Sequence, residues 1–204
     1  MKKIAIIIAL ACGCGLVQAQ DNYFFVNWDI NTPMTNTNWI GSTSTRGFRG
    51  GYRAVFGSQR QFSAGLDVSW ATFSEYKPTQ TFQQEAGAIT TDYFNYIYQL
   101  SFAASGQYYF HKSTNERFFS YVGMGLGANQ NKYTVFYNIY KDQHAAWGFL
   151  ARPEAGILLR ISTRKRIGLM AAVHYDYSTN KSNDYNYSSF SAVGVSVGIM
   201  SMQW

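Results

Sequence analysis

Cysteine is nearly missing from this chain of 204 residues, and the two that occur, Cys12 and Cys14, both fall within its first fourteen positions. If that segment is removed, the remainder has no disulfide, thiol nucleophile or cysteine-ligated metal. Proline is also scarce, with three residues, and charged side chains make up only 14%. Beyond residue 17 no apolar run approaches the roughly 20 residues that a membrane-spanning helix needs, so a helical membrane protein is excluded. The formal charge of +6 falls to about +4 without Lys2 and Lys3. So mild an excess argues against a nucleic-acid partner.

What the chain does have is aromatics, at 18%, with 16 tyrosines and 18 glycines. Such a composition favours strands over helices. The first twenty residues, MKKIAIIIALACGCGLVQAQ, combine two lysines, an apolar core from Ile4 to Val17 and a small-residue site at Val17-Gln18-Ala19. They predict a secretory signal peptide over 1–19 and a mature domain over 20–204. An uncleaved anchor helix is the alternative, and its apolar core is short for one. A lipid anchor on Cys12 would require an aliphatic residue three positions earlier, which ALAC lacks.

Eight alternating segments follow: 23–32, 47–56, 61–73, 93–110, 118–129, 146–161, 167–177 and 189–204. The connections GSQR, HKSTNER and STRKR are short. Those beginning PMTNTNWIG, SEYKPTQTF, QNKYTVFYN and STNKSNDYN are long. Regular exchange of short turns with long loops is the pattern of an up-and-down barrel in an outer membrane. The predicted fold is therefore all-β, an eight-stranded antiparallel transmembrane β-barrel located in the cell outer membrane.

The faces agree with this assignment. Side chains alternate across a strand with period 2. Phe24, Val26, Trp28 and Ile30 thus oppose Phe25, Asn27, Asp29 and Asn31, and Leu66, Val68 and Trp70 oppose Asp67 and Ser69. In WGFLARPEAGILLRIS, Arg152, Glu154 and Arg160 share one face, while Trp147, Phe149, Ala151, Pro153, Ala155, Ile157, Leu159 and Ile161 share the other. The apolar faces belong to lipid. The polar faces fill a lumen just wide enough for side chains. Asp29, Arg49, Arg53, Asp67, Arg152, Glu154, Arg160, His174 and Asp176 are predicted to form a lumen charge network, since an unpaired buried charge is very costly. Pro153 predicts a bulge or local irregularity. Met200, Met202 and Trp204 have the parity opposite to Val193–Ile199, which predicts either a bulge near Ile199 or an inward Trp204.

On WGFLARPEAGILLRIS, the GMGLGA run and the aromatic C-terminus, the chain resembles the small outer-membrane β-barrel family, including the transmembrane domain of outer-membrane protein A. The resemblance implies an eight-stranded monomer inserted by the outer-membrane assembly machinery; separately, no peptidoglycan-binding domain is expected to follow the barrel.

Chemistry is sparse. His111 and His144 read as turn and loop residues. His174, Asp176 and Ser178 could sketch a nucleophile, base and orienter, as in a lipid-modifying enzyme, but they face the lumen. No spacing resembles a metal first shell and no cofactor motif occurs. The third long loop, with Lys132, Tyr133, Tyr137, Tyr140 and Lys141, suits contact with sugars or with outer-membrane lipid and lipopolysaccharide, or is a girdle with a polar loop. It could also extend the wall as a hairpin. The expected function is structural or surface contact, without enzymatic activity. Alternatives are a narrow channel or lateral path for small apolar molecules, a lipid-modifying enzyme, and a soluble periplasmic ligand-binding barrel.

Overall fold

A computed structural model describes residues 21–84, 87–110, 117–137, 140–161 and 166–203. The signal peptide expected over 1–19 lies outside the described residues, as do His111 and Trp204. The strands are β1 (Asp21–Pro33), β2 (Ser44–Phe56), β3 (Phe62–Gln84), β4 (Gly87–Phe110), β5 (Phe118–Tyr137), β6 (Tyr140–Arg160), β7 (Ile167–Ser178) and β8 (Phe190–Gln203). Each pairs antiparallel with its neighbours in chain order. The ring closes where β1 pairs with β8, from Asn22 opposite Gln203 to Pro33 opposite Ala192. Closure satisfies every wall strand on both edges, which a bilayer requires because its core offers backbone groups no water.

Alternation places the two kinds of residue on opposite sides of the wall. Leu66 is 69% exposed and its neighbour Asp67 is 2% exposed. Trp28, Trp147, Ile157 and Ile199 likewise stand on the outside, and Asn27, Arg49 and Arg152 are buried within. An apolar belt of this extent is a surface made for lipid.

The structure decides three points, one of them against expectation. The second long loop is largely paired wall, with β3 and β4 paired up to Gln84 and Gly87, and the third extends the wall as a hairpin, as its alternation allowed, with β5 and β6 in register up to Tyr137 and Tyr140. At Pro153 the expected irregularity is a gap in the ladder and not a bulge. The β6–β7 ladder lapses at residues 152 and 153 but resumes at Glu154 opposite His174 in the same register. The β3–β4 register does shift between Lys77 and Gln80, around Pro78. At the C-terminal end, Met200 and Met202 face inward and are buried, and β8 pairs without a shift on both sides. The change of parity is therefore an apolar inner floor.

Candidate functional site: a sealed lumen and a raised outer wall

The lumen is filled in three layers. At the short-turn end Tyr23, Phe25, Val55, Tyr109, Phe119, Tyr121, Leu158, Met170, Met200 and Met202 form an apolar floor. Above it lies the charge layer. Arg53 grips Asp67 with both terminal nitrogens, the second at 2.8 Å. Arg49 donates to Asp67 Oδ2 at 3.1 Å and also to Glu154. Gln107 Nε2 donates to the second Glu154 oxygen at 2.5 Å, and the hydroxyls of Tyr23 and Tyr109 donate to Gln107 Oε1 at 2.7 Å. Ser105 adds a hydroxyl to Asp67 at 3.0 Å, and Arg53 lies 5.1 Å above the Phe25 ring. Burial of these charges is tolerable because the ion pairs are also hydrogen-bonded.

A second group sits beside the first. Arg152 Nε and Nη2 donate to the two Asp176 oxygens at 2.5 Å each, and Nη2 also donates to Ser69 Oγ at 2.9 Å. His174 Nε2 lies 3.1 Å from Asn31 Oδ1, 3.7 Å from Asp29 and 3.9 Å from Asp176. Two glycines make room for the layer. A Cβ at Gly51 would strike the Asp67 carboxylate and the Phe25 ring, and one at Gly194 would strike His174 and Asn31.

Eight of the nine residues expected in the lumen network thus meet in two adjoining groups. Arg160 has their parity but ends β6 half-buried, with its backbone N–H donating to Arg117 O at 2.8 Å. His174, Asp176 and Ser178 do not form a relay. Asp176 is occupied by Arg152, and the Ser178 hydroxyl donates to Phe190 O at 3.3 Å. Among the described residues no cluster of His, Cys, Asp or Glu is placed to hold a metal ion.

The third layer closes the long-loop end. The β1–β2 loop and the β7–β8 loop fold inward, bringing Trp39, Ile40, Tyr185 and Tyr187 onto Phe73, Ile97, Tyr133, Val135 and Phe190. Trp39 packs 5.1 Å from Tyr185 and 5.7 Å from Tyr187, and Tyr133 packs 4.8 Å from Tyr187. Asn36 and Asn186 take left-handed backbone angles in these loops, which asparagine tolerates better than most residues. The β1–β2 loop is strapped to β3: Gly41 N–H donates to Glu75 at 2.5 Å, and Lys77 Nζ donates to both Glu75 at 2.5 Å and Asn38 O at 2.7 Å. Partial burial pushes the Glu75 carboxyl up, but Lys77 and the Gly41 and Ser42 amides outweigh this and hold it below the ordinary carboxylate range.

This layer corrects the expected contact loop. Tyr133 is fully buried in the plug and cannot meet a partner. Tyr137 is half-buried beside Tyr93, with ring centroids 5.7 Å apart. Tyr140, at 65%, and Lys141 are exposed near the hairpin tip, and Lys132 lies lower on the outer face, half-buried. The plug was missed because its partners, Trp39, Tyr185 and Tyr187, come from loops with no periodicity. Their aromatic content was the available signal.

No family model matches the chain, and no curated protein is significantly similar to it. Solved structures do share its fold. The attachment invasion locus protein Ail of Yersinia pestis aligns over 90% of this chain and 98% of its own, with 14% identity and a TM-score of 0.53. The same protein in complex with the heparin analogue sucrose octasulfate aligns over the same shares, with a TM-score of 0.52. Neisserial surface protein A aligns over 88% of this chain and 96% of its own, with 16% identity and a TM-score of 0.49. With its closed eight-stranded ring, outward apolar belt and charge-filled interior, the chain has the fold of the small outer-membrane β-barrels and is built to reside in that membrane.

Proposed function

We propose that the protein is a non-enzymatic outer-membrane barrel that works through its external surface, the filled barrel serving as a rigid post for a contact ridge. The observation that carries this reading is the continuation of β3–β4 and β5–β6 as paired wall beyond the belt, where Tyr140 and Lys141 stand exposed. A paired hairpin presents side chains at lower entropic cost than a mobile loop. A channel is opposed by the three filled layers, and a lumenal hydrolase by the Ser178 hydroxyl donating to Phe190 O and by the pairing of Asp176 with Arg152.

The barrel of like fold solved with a heparin analogue supports polyanionic glycans as one class of contact. The proposal includes removal of residues 1–19 on export, insertion by the outer-membrane assembly machinery and a monomeric state. The test is retention of nanodisc-embedded protein on immobilised heparin. Tyr140→Ala combined with Lys141→Ala is expected to lower retention while leaving the barrel folded, and unchanged retention would count against the ridge.

A further inference from the structure

The three short connections GSQR, HKSTNER and STRKR hold six arginines and lysines and a single carboxylate, Glu116, and Arg160 ends β6 just before the last of them. Asp21, at the start of β1, is the other carboxylate of this end. At the long-loop end cations and carboxylates are equal in number, five of each, and the lumen holds three arginines against four carboxylates. Beyond residue 20, the excess positive charge of the chain therefore lies at the short-turn mouth.

The structure fixes where three of these cations stand. Arg160 N–H donates to Arg117 O at 2.8 Å, so the two face each other at the feet of β5 and β6. Arg166 precedes β7, and its carbonyl accepts from Met202 N–H at 2.6 Å. The three backbones thus occupy neighbouring strand feet, about 4.8 Å apart from one strand to the next. All three have the inward parity: Arg117 lies two residues before Phe119, Arg160 two after Leu158 and Arg166 four before Met170, and Phe119, Leu158 and Met170 belong to the apolar floor. Phe118, Ile161 and Ile167, which alternate with the arginines, are the lipid-facing residues. Arg117 and Arg166 are exposed, and Arg160 is half-buried. On the β1–β3 side of the mouth Arg60 is paired with Asp21, whereas among the described residues no carboxylate pairs with Arg117 or Arg166.

We infer that this mouth docks an acidic peptide segment of a periplasmic protein, whose carboxylates meet Arg117, Arg160 and Arg166. Short turns face the periplasm in this fold. Parity argues against a leaflet lipid, because the arginines stand on the side of the strands away from Phe118, Ile161 and Ile167. The placing of the aromatic rings argues against a saccharide polymer. Sugars pack on exposed ring faces. Here Tyr109, Phe119 and Tyr121 are sealed in the floor, while Phe56, Phe62 and Phe118 face lipid. Carboxylates fit better, since the planar fork of arginine matches them with two parallel hydrogen bonds. In an extended peptide, side chains on one face recur about every 6.6 Å, a spacing that three long side chains on adjacent strand feet can follow. The surface lies at the opposite end of the barrel from the external ridge and does not depend on it.

The experiment holds the full barrel in nanodiscs of zwitterionic phosphatidylcholine and measures binding to immobilised poly-L-glutamate across a salt series. Wild type is expected to bind, with an affinity that falls as salt rises. Arg117→Gln with Arg166→Gln should weaken binding roughly tenfold. Lys132→Gln with Lys141→Gln, at the other end, should leave it unchanged. Heat-modifiable gel migration verifies folding of each variant. Folded arginine variants that bind as wild type does would overturn the proposal, as would an equal loss in the lysine variant. Two further arms identify other occupants. Arginine-dependent binding to isolated peptidoglycan sacculi, tighter than to polyglutamate, would reassign the mouth to the wall polymer. Preferential retention of phosphatidylglycerol from mixed nanodiscs, lost in the arginine variants, would reassign the arginines to lipid. Either result overturns the acidic-peptide assignment.

Discussion

Arg152 and Asp176 face each other across the β6–β7 seam at the point where its backbone ladder lapses beside Pro153, and their two-nitrogen, two-oxygen contact at 2.5 Å bridges the gap. Side-chain bonds thus stand in for the backbone bonds missing there. Asp176→Asn would leave the guanidinium without its charge partner in the lumen, at a typical cost of about 3–5 kcal/mol for a broken buried pair. Replacing both, with Arg152→Met and Asp176→Leu, should recover much of that loss. Equilibrium urea unfolding in vesicles reads both variants; a double variant no better than the single would show that the pair contributes more than mutual neutralisation.

The outer face makes the opposite demand. Ile157 lies on the lipid side, across from Ser120 on β5 and Ala171 on β7. Ile157→Arg should destabilise the barrel by roughly 2–4 kcal/mol if it sits near the midplane, and less toward either interface. Ile157→Leu should be close to neutral. An arginine tolerated at this position in thin and thick bilayers alike would refute the assignment of this face to lipid.

Conductance tests the layering. With an apolar floor, a paired charge layer and an aromatic plug in series, wild type should show no steady current in a planar bilayer. Trp39→Ala with Tyr187→Ala should loosen the plug and still leave the current near baseline, because the arginine–carboxylate layer lies below it. Stable openings in the double variant would mean that the plug alone seals the barrel.

The loop strap should respond to acid. The Glu75 carboxyl lies below its ordinary range in the folded loop, so its contribution is fully present above its unfolded value of about 4.3 and is lost as pH falls through the lower folded value. Hydrogen exchange at the Gly41 and Ser42 amides should therefore accelerate, after correction for intrinsic rates, on descending below about pH 4. Glu75→Gln should abolish the step. A pH-independent protection factor in wild type would show that the strap does not depend on the carboxylate.

Within the membrane the sequence was easy to read, because lipid on one side and polar packing on the other enforce strict alternation. Phe24 to Asn31 and Trp147 to Ile161 show it residue by residue. Above the membrane that constraint ends. Tyr133 and Val135 keep the inward parity of Asn129 and Asn131, yet they are apolar residues in a plug while the outside has become wet. The same parity with inverted chemistry reads as a loop. Pairings were illegible for another reason: Arg49 and Glu154 lie 105 residues apart, and only ring closure brings them together. Pro153 was legible as an irregularity but not as its kind: there the missing donor is absorbed by a gap in the ladder, whereas at Pro78 the register itself shifts.

The seam between β1 and β8 also has a temporal meaning. Its rungs, such as Asn22 with Gln203, join residues from nearly opposite ends of the described barrel, whereas every other seam joins strands adjacent in sequence. Non-local pairings incur the greatest loop-closure entropy and tend to form late. Seven hairpin seams can zip progressively, but the arginines and carboxylates on β2, β3, β6 and β7 are enclosed only when the final seam forms. Sealing of the interior and completion of folding are therefore one event, and a chain that stalls before it would offer an open edge to another strand.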